Sequence, residues 1–227
     1  MKITQEALTG TFEQKKELVS QFNLMDDDFF AVVMQDKDAC EYVIRKLTGK
    51  EDLKIIESKS QYSIRSTTQH SCVLDCFAED SNHQLFNIEV QVKNNDNQPK
   101  RMRYYRSAID FTSFEKGRKY EELPDVYMIM ISSFDVFGLG KNSYKIQKSV
   151  EGTDFVVDDG VHEMYFNNAV NDGSDISELL QYFKNSDSGN ANFGALSQAV
   201  KHSKETEEGV VARFRSRFLP RYLTKSF

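Results

Sequence analysis

The stretch SCVLDCFAEDSNHQLFNIEVQVK, residues 71–93, decides the fold. It reads as two strands around a turn at Asp80-Ser81-Asn82-His83. In the second strand Phe86, Ile88, Val90 and Val92 alternate with Asn87, Glu89, Gln91 and Lys93, the period of two that gives a strand two unlike faces. In the first, Asp75 interrupts the apolar run Val73-Leu74-Asp75-Cys76-Phe77. Opposed residues of a hairpin project from the same side of the sheet. Asp75 therefore stands opposite Glu89 only if the turn holds an odd number of residues, three or five. Carboxylates that close repel each other unless a cation lies between them, and a hard divalent metal takes both as oxygen ligands. Gln91 and Lys93, on the Glu89 face, would orient a water or neutralise developing negative charge. The competing reading is a surface hairpin whose charges are only solvated.

Composition sets the frame for that hairpin. The chain has 227 residues, 39% hydrophobic and 28% charged, with 17 Phe and 10 Tyr to fill a core. That is material for one large domain or a domain with an appendage. No apolar run approaches membrane-spanning length, and the opening MKITQEALTG carries no hydrophobic leader, so a cytoplasmic protein is expected. A net charge of −6 argues against a protein that coats nucleic acid by charge alone, though not against a local basic track. Three Cys fit a reducing compartment. Cys72 and Cys76 lie too far apart along one strand to bridge, and four scattered His offer no zinc spacing.

Outward from the hairpin, residues 1–23 form a polar, partly helical lead-in. Asp26 to Asp28 cap and complement a helix carrying Phe29, Phe30, Val32 and Val33. A second helix is predicted from Lys37 to Leu47, stopped by Gly49, then a short strand from Leu53 to Glu57 and a polar loop to His70. After the hairpin the pattern predicts a helix from Lys100 to Lys116. Met102, Tyr105, Ala108, Ile109 and Thr112 lie on its apolar side, and Lys100, Arg103 and Arg106 form a basic stripe on the other. Val126–Ser133 is apolar throughout, as in a strand buried on both faces. Tyr144–Val150 and Met164–Asn167 are further strands, with a turn at Asp158-Asp159-Gly160 between them. Ile176–Phe183 is a helix capped by Ser174 or Asp175. A polar linker, one final helix from Phe193 to Glu208 and a basic tail (Arg213, Arg215, Arg217, Arg221, Lys225) complete the chain. The order of elements suits an α/β protein with a mixed sheet.

With these residues in hand, the chain resembles the PD-(D/E)XK nuclease superfamily, in its transposase-like branch related to the Rpn recombination-promoting nucleases. Leu74-Asp75 fills the first motif and Glu89-Val90-Gln91 the second. DDDFFAVVMQD, LDCFAED, FNIEVQ, PKRMRYYRSAID, KGRKYEELPDVYMIMISSFDVFG, VDDG and YFNNA each resemble a segment of that branch, in its order, across Leu24 to Phe183. Leu74 stands where the superfamily has Pro, and Gln91 where it has Lys, a replacement common in this branch. The resemblance implies a restriction-endonuclease-like α-β-β-β-α-β core, a mixed central sheet flanked by helices, with a C-terminal helical extension. The chain then divides into the lead-in (1–23), the nuclease-like domain (24–185) and the linker, helix and basic tail (186–227).

The implied activity is metal-dependent DNA endonuclease chemistry associated with mobile elements and recombination. Asp75, Glu89 and the Val90 carbonyl would hold Mg²⁺, for which Mn²⁺ can substitute. Asp75, Glu89 and Gln91 form the catalytic set. Lys93, Lys100, Arg103 and Arg106 would hold the DNA backbone, and Tyr104 or Tyr105 would stack or pack. The partner is DNA rather than membrane, and a homodimer is compatible with the sequence. Because Gln91 replaces the Lys, a nucleic-acid-binding protein that keeps the fold without cleavage is the alternative. A small-molecule carboxylate enzyme on an unrelated fold is disfavoured, since the chain lacks any nucleotide loop such as GxGxxG or GxxxxGK.

Overall fold

The computed structural model of the chain describes residues 11–65 and 70–218. The predicted hairpin is present as β2 (Cys72–Asp80) and β3 (Leu85–Gln91), antiparallel, with Cα partners from Cys76↔Ile88 to Glu79↔Leu85. Residues 80–84 form the turn, which is therefore the longer of the two odd lengths. Asp80 holds it together: its Oδ1 accepts from the N–H of Asn82 at 2.9 Å and of Gln84 at 2.8 Å.

The strand preceding the hairpin is longer than its sequence suggests. β1 runs from Ile55 to Ile64 and pairs antiparallel with β2. The predicted end of the strand at Glu57 is corrected accordingly, while residues 66–69 of the predicted loop lie outside the described residues. A strand on the sheet edge leaves much of itself to solvent, so ESKSQYSI needs no apolar alternation to stay in the ladder. β4 (Val126–Ser132) lies parallel to β3 and to β6 (Val161–Asn167), and β5 (Ser143–Ile146) closes the other edge antiparallel to β6. The sheet order is β1-β2-β3-β4-β6-β5. All seven β4 residues are buried, as expected for a central strand covered on both faces. β5 stops at Ile146 instead of Val150, which is exposed.

Local chemistry sets the helix ends. α1 (Phe12–Ser20) begins with a Thr11–Gln14 capping box, α2 (Asp27–Val33) with Asp26 accepting from the Phe29 N–H, and α3 (Lys37–Thr48) with Asp36. Gly49 ends α3 at φ 77°, a left-handed conformation that only glycine adopts cheaply. α4 (Gln98–Ser113) starts at the Asn97 cap with Pro99 in its first turn, and ends short of the predicted Lys116. α5 (Asp175–Asn185) is capped by Ser174. The single final helix expected from Phe193 to Glu208 is two, α6 (Gly194–Glu205) and α7 (Glu207–Phe218), broken where Thr206 is extended. Thr206 Oγ1 accepts from the Gly209 N–H. A Cβ on Gly209 would lie 2.4 Å from the His202 carbonyl oxygen, so the tight corner depends on a missing side chain.

The sheet has two unlike faces. On one, Phe29, Phe30, Ile44, Phe86, Ile129 and Phe183 form a large core that also takes in Val19 of α1, Val200 of α6 and Val210 of α7. On the other, α4 lays Met102 and Ile109 over Leu74, Met128, Met130 and Tyr165, with Val136 and Phe137 packed against the same cluster. Cys40 of α3 and Cys76 of β2, both fully buried, place their sulfurs 3.7 Å apart as free thiols. The N-terminal ten residues of the lead-in, Arg221, Lys225 and the side chains of Arg213, Arg215 and Arg217 lie outside the described residues. Among the described residues no helix is long and apolar enough to cross a membrane.

Candidate active site

Asp75 sits where β2 turns over. Under strict alternation Cys72, Leu74, Cys76 and Ala78 would share a face. Instead Cys72 and Leu74 pack under α4, while Cys76 and Ala78 pack with Phe86 and Ile88 on the opposite side. β1 turns over at the same level. The Ser58 hydroxyl donates to the Met34 carbonyl on one side, while Tyr62 and Ile64 pack toward α4. Gln61 between them, flanked by the pairs Ser60↔Cys76 and Tyr62↔Leu74, has φ 52°. This paired break frees Asp75 from the face its neighbours use.

The last ladder pair of the hairpin is Cys76↔Ile88, and the same register one step further sets Asp75 opposite Glu89. There side chains replace ladder bonds. The Asp75 N–H donates to Glu89 Oε1 at 3.2 Å, and the Val90 N–H donates to Asp75 Oδ2 at 3.1 Å. Asp75 is 9% exposed and Glu89 0%. The Val90 side chain belongs to the core behind the sheet, but its backbone faces the site. Main-chain groups alternate sides along a strand. The Gln91 carbonyl accepts from the Ser133 N–H on the β4 side. The Val90 carbonyl is therefore directed with its N–H toward Asp75.

A cation already meets this pair. Arg101, in the first turn of α4, donates through Nη2 to Glu89 Oε2 at 3.1 Å and through Nη1 to Gln91 Oε1 at 2.6 Å. Its guanidinium lies 5.1 Å from the centre of the Tyr105 ring. Gln91 in turn donates through Nε2 to the Lys93 carbonyl at 2.9 Å, so its amide is held at both ends. Burial, and after it the nearby Asp75 charge, push the Glu89 carboxyl well above the ordinary carboxylate range, while Arg101 draws it back. Burial also works against the Arg101 charge, but Glu89 and Tyr105 overcome it and leave the guanidinium firmly protonated.

These residues fit a hard divalent cation. Two carboxylates from adjacent strands converge with a carbonyl beside them, and their mutual repulsion is what a metal relieves. Asn87, two residues before Glu89 on the same strand, is completely buried, and its side-chain amide acts on the Glu89 carboxylate as a hydrogen-bond donor that favours the charged form. Asp26, Asp27 and Asp28 also bring carboxylate oxygens within 4.8 Å of one another. They are the cap and first turn of α2, where negative charge satisfies the helix N-terminus.

An open pocket of about 600 Å³ leads to the site, lined by Gln91, Arg101, Lys100, Tyr104, Tyr105 and His70 among others. Lys100 also borders a second groove of about 440 Å³, where Arg103 and Arg106 face Lys148 and Phe137. The three stripe residues thus line one groove, and Lys100 is shared between that groove and the pocket at the site. The alternation that set Lys93 on the Glu89 face does not extend to it. β3 ends at Gln91, Val92 is 52% exposed rather than inward, and Lys93 is exposed beyond the strand. The ladder to β4 stops at Gln91↔Ser132, so nothing holds residue 92 to the period of two. Tyr105 packs against the α4-side core, and Tyr104 is more exposed, its hydroxyl donating to the His70 carbonyl.

Sequence reasoning missed Arg101. The usable signal was its position four residues before Tyr105, which places it on the flank of the buried side of α4 rather than on the basic stripe. No curated protein and no solved structure matches the chain. A family model described as PD-(D/E)XK nuclease family transposase matches residues 29–165, more than half of the chain and all of the strands that build the carboxylate pair. The fold, the paired acidic strands and this match agree, and the chain belongs to the PD-(D/E)XK nuclease family transposases.

Proposed function

We propose that this protein is a metal-dependent DNA endonuclease that hydrolyses phosphodiester bonds in a mobile-element or recombination setting. The observation that carries the reading is the convergence of buried Asp75 and Glu89 beside an open pocket whose lining includes Lys100 and Arg101 along with Asp96. Asp75, Glu89 and the Val90 carbonyl would hold Mg²⁺, or Mn²⁺ in its place. A divalent cation supplies Lewis-acid stabilisation of the charge that builds on the phosphoryl oxygens. Gln91, whose Nε2 donates to the Lys93 carbonyl, orients the attacking water. Lys93, Lys100, Arg103 and Arg106 position the DNA backbone without reading its sequence. The three free cysteines support a reducing, cytoplasmic setting.

The test is nicking of supercoiled plasmid in Mg²⁺, in EDTA, and with Asp75→Ala. Cleavage in Mg²⁺ alone, lost in the other two, supports the reading; undiminished cleavage by Asp75→Ala refutes it. A second reading is supported by one feature, the Arg101 ion pair that already engages Glu89 at the position where Gln91 replaces a lysine. On that reading the protein binds DNA in Mg²⁺ without nicking it.

A further inference from the structure

Both oxygens of Glu89 hold a donor: Oε1 takes the Asp75 N–H, and Oε2 takes Arg101. The guanidinium is the counter-charge for a carboxylate with no exposure of its own. Without it, the buried Glu89 charge would lose its guanidinium partner while still lying beside Asp75. A metal that Glu89 ligates through Oε2 would share that oxygen with Arg101 or displace it, and one ligated through Oε1 would still face the guanidinium across the same carboxylate; in either case two cations crowd one acid and repel.

Arg101 has somewhere to go. Its side chain is 24% exposed and lines the mouth of the 600 Å³ pocket beside Lys100. A planar fork of N–H donors that leaves a carboxylate is well matched to a phosphate. Its second donor points at Gln91 rather than at another acid, so that bond is replaced at little cost.

We propose that Arg101 is a positioning residue that exchanges Glu89 for a backbone phosphate, and so couples metal loading to nucleic-acid binding. The proposal rests on the nuclease reading of Asp75 and Glu89. When no strand is bound, the guanidinium holds Glu89 and weakens the metal site. A phosphate arriving at the pocket mouth draws Arg101 away, and the freed carboxylate binds the cation. By linkage each ligand then tightens the other by the same factor.

The experiment is calorimetric titration of Ca²⁺, a hard oxygen-seeking probe, into wild type, Arg101→Gln and Arg101→Lys, each with and without a short DNA duplex. Arg101→Gln alone should bind Ca²⁺ about tenfold more tightly than wild type, and the duplex should tighten Ca²⁺ binding about tenfold less in Arg101→Gln than in wild type. Arg101→Lys keeps the charge but not the fork; it should bind Ca²⁺ no more tightly than wild type and lose part of the coupling. Equal or weaker Ca²⁺ binding by Arg101→Gln overturns the proposal, as does equal tightening by DNA in all three proteins. If Arg101→Gln does not fold, Arg101→Lys decides: coupling equal to that of wild type overturns the proposal, and reduced coupling supports it. Failure of every protein to bind Ca²⁺, Arg101→Gln included, removes the metal site and with it the nuclease reading, a result distinct from binding without coupling.

Discussion

The N–H of Asp75 donates to the side chain of Glu89, while the N–H of the residue after Glu89 donates to the side chain of Asp75. Each acid thus ties down the strand of the other at the point where the β2–β3 ladder ends. Their convergence is built into the hairpin rather than left to two free side chains. Asp75→Asn keeps an acceptor for the Val90 N–H and should preserve the fold while removing the charge. Asp75→Asn, Asp75→Ala and Glu89→Ala are each expected to lower plasmid nicking by roughly a hundredfold or more. Circular dichroism reports whether the fold survives, and full activity in a folded variant would remove these residues from the chemistry.

Gln91 is fixed by Arg101 on one side and the Lys93 carbonyl on the other. Gln91→Ala releases both and should lower the cleavage rate by about tenfold, with little change in duplex affinity. Gln91→Lys reinstates the residue found elsewhere in the superfamily but sets an ammonium against the guanidinium. It is expected to be no better than Gln91→Ala, as single-turnover rates at saturating enzyme would show. Restoration above wild type would mean that Arg101 is not the cation of this site.

Lys100, Arg103 and Arg106 border one groove, with Lys148 across from them. Their contacts should be with phosphates, so alanine at Arg103 or Lys100 should weaken DNA binding evenly across sequences. Each loss should lower the slope of log affinity against log salt by about one unit. Fluorescence anisotropy at several salt concentrations measures it; a sequence-dependent loss or an unchanged slope would count against a backbone role.

Lys204 of α6 is 4% exposed and donates to the carbonyls of Ser20 at 3.1 Å and Ser186 at 2.7 Å, with its nitrogen over the Phe29 ring. Burial lowers its pKa to about 8, while Asp187 acts in the other direction. A lysine depressed in the fold gives up its proton before the unfolded chain does. Between about pH 8 and the ordinary value of 10.5 the unfolded state binds more protons, so this group adds stability as pH rises. Relative to Lys204→Met, wild type should gain up to roughly 3 kcal/mol across that window, less whatever the two carbonyl bonds return to the charged form. Urea denaturation of both proteins at pH 7.5, 9 and 10.5 gives the difference, and a flat difference would assign Lys204 an ordinary pKa.

The sequence by itself determined the features whose cause lies within a few residues. The period of two in β3, the Asx and Thr caps at Asp26, Asp36, Asn97 and Thr11, and the stop at Gly49 are local chemistry, and the structure has them. The odd-turn rule made the Asp75–Glu89 pairing conditional on a turn of three or five residues, since the pleat fixes which residues share a face; the register of the folded hairpin decided it. The length of β1, the turnover at Gln61 and Asp75, and the break at Thr206 were decided by what each segment packs against. Polar strands and helix corners take their backbone partners from distant chain. The same holds for the arginine at the centre of the site. Lys100 and Arg101 are adjacent in sequence, and only the seating of Met102 and Ile109 on the sheet turns one toward Glu89 and leaves the other at the rim.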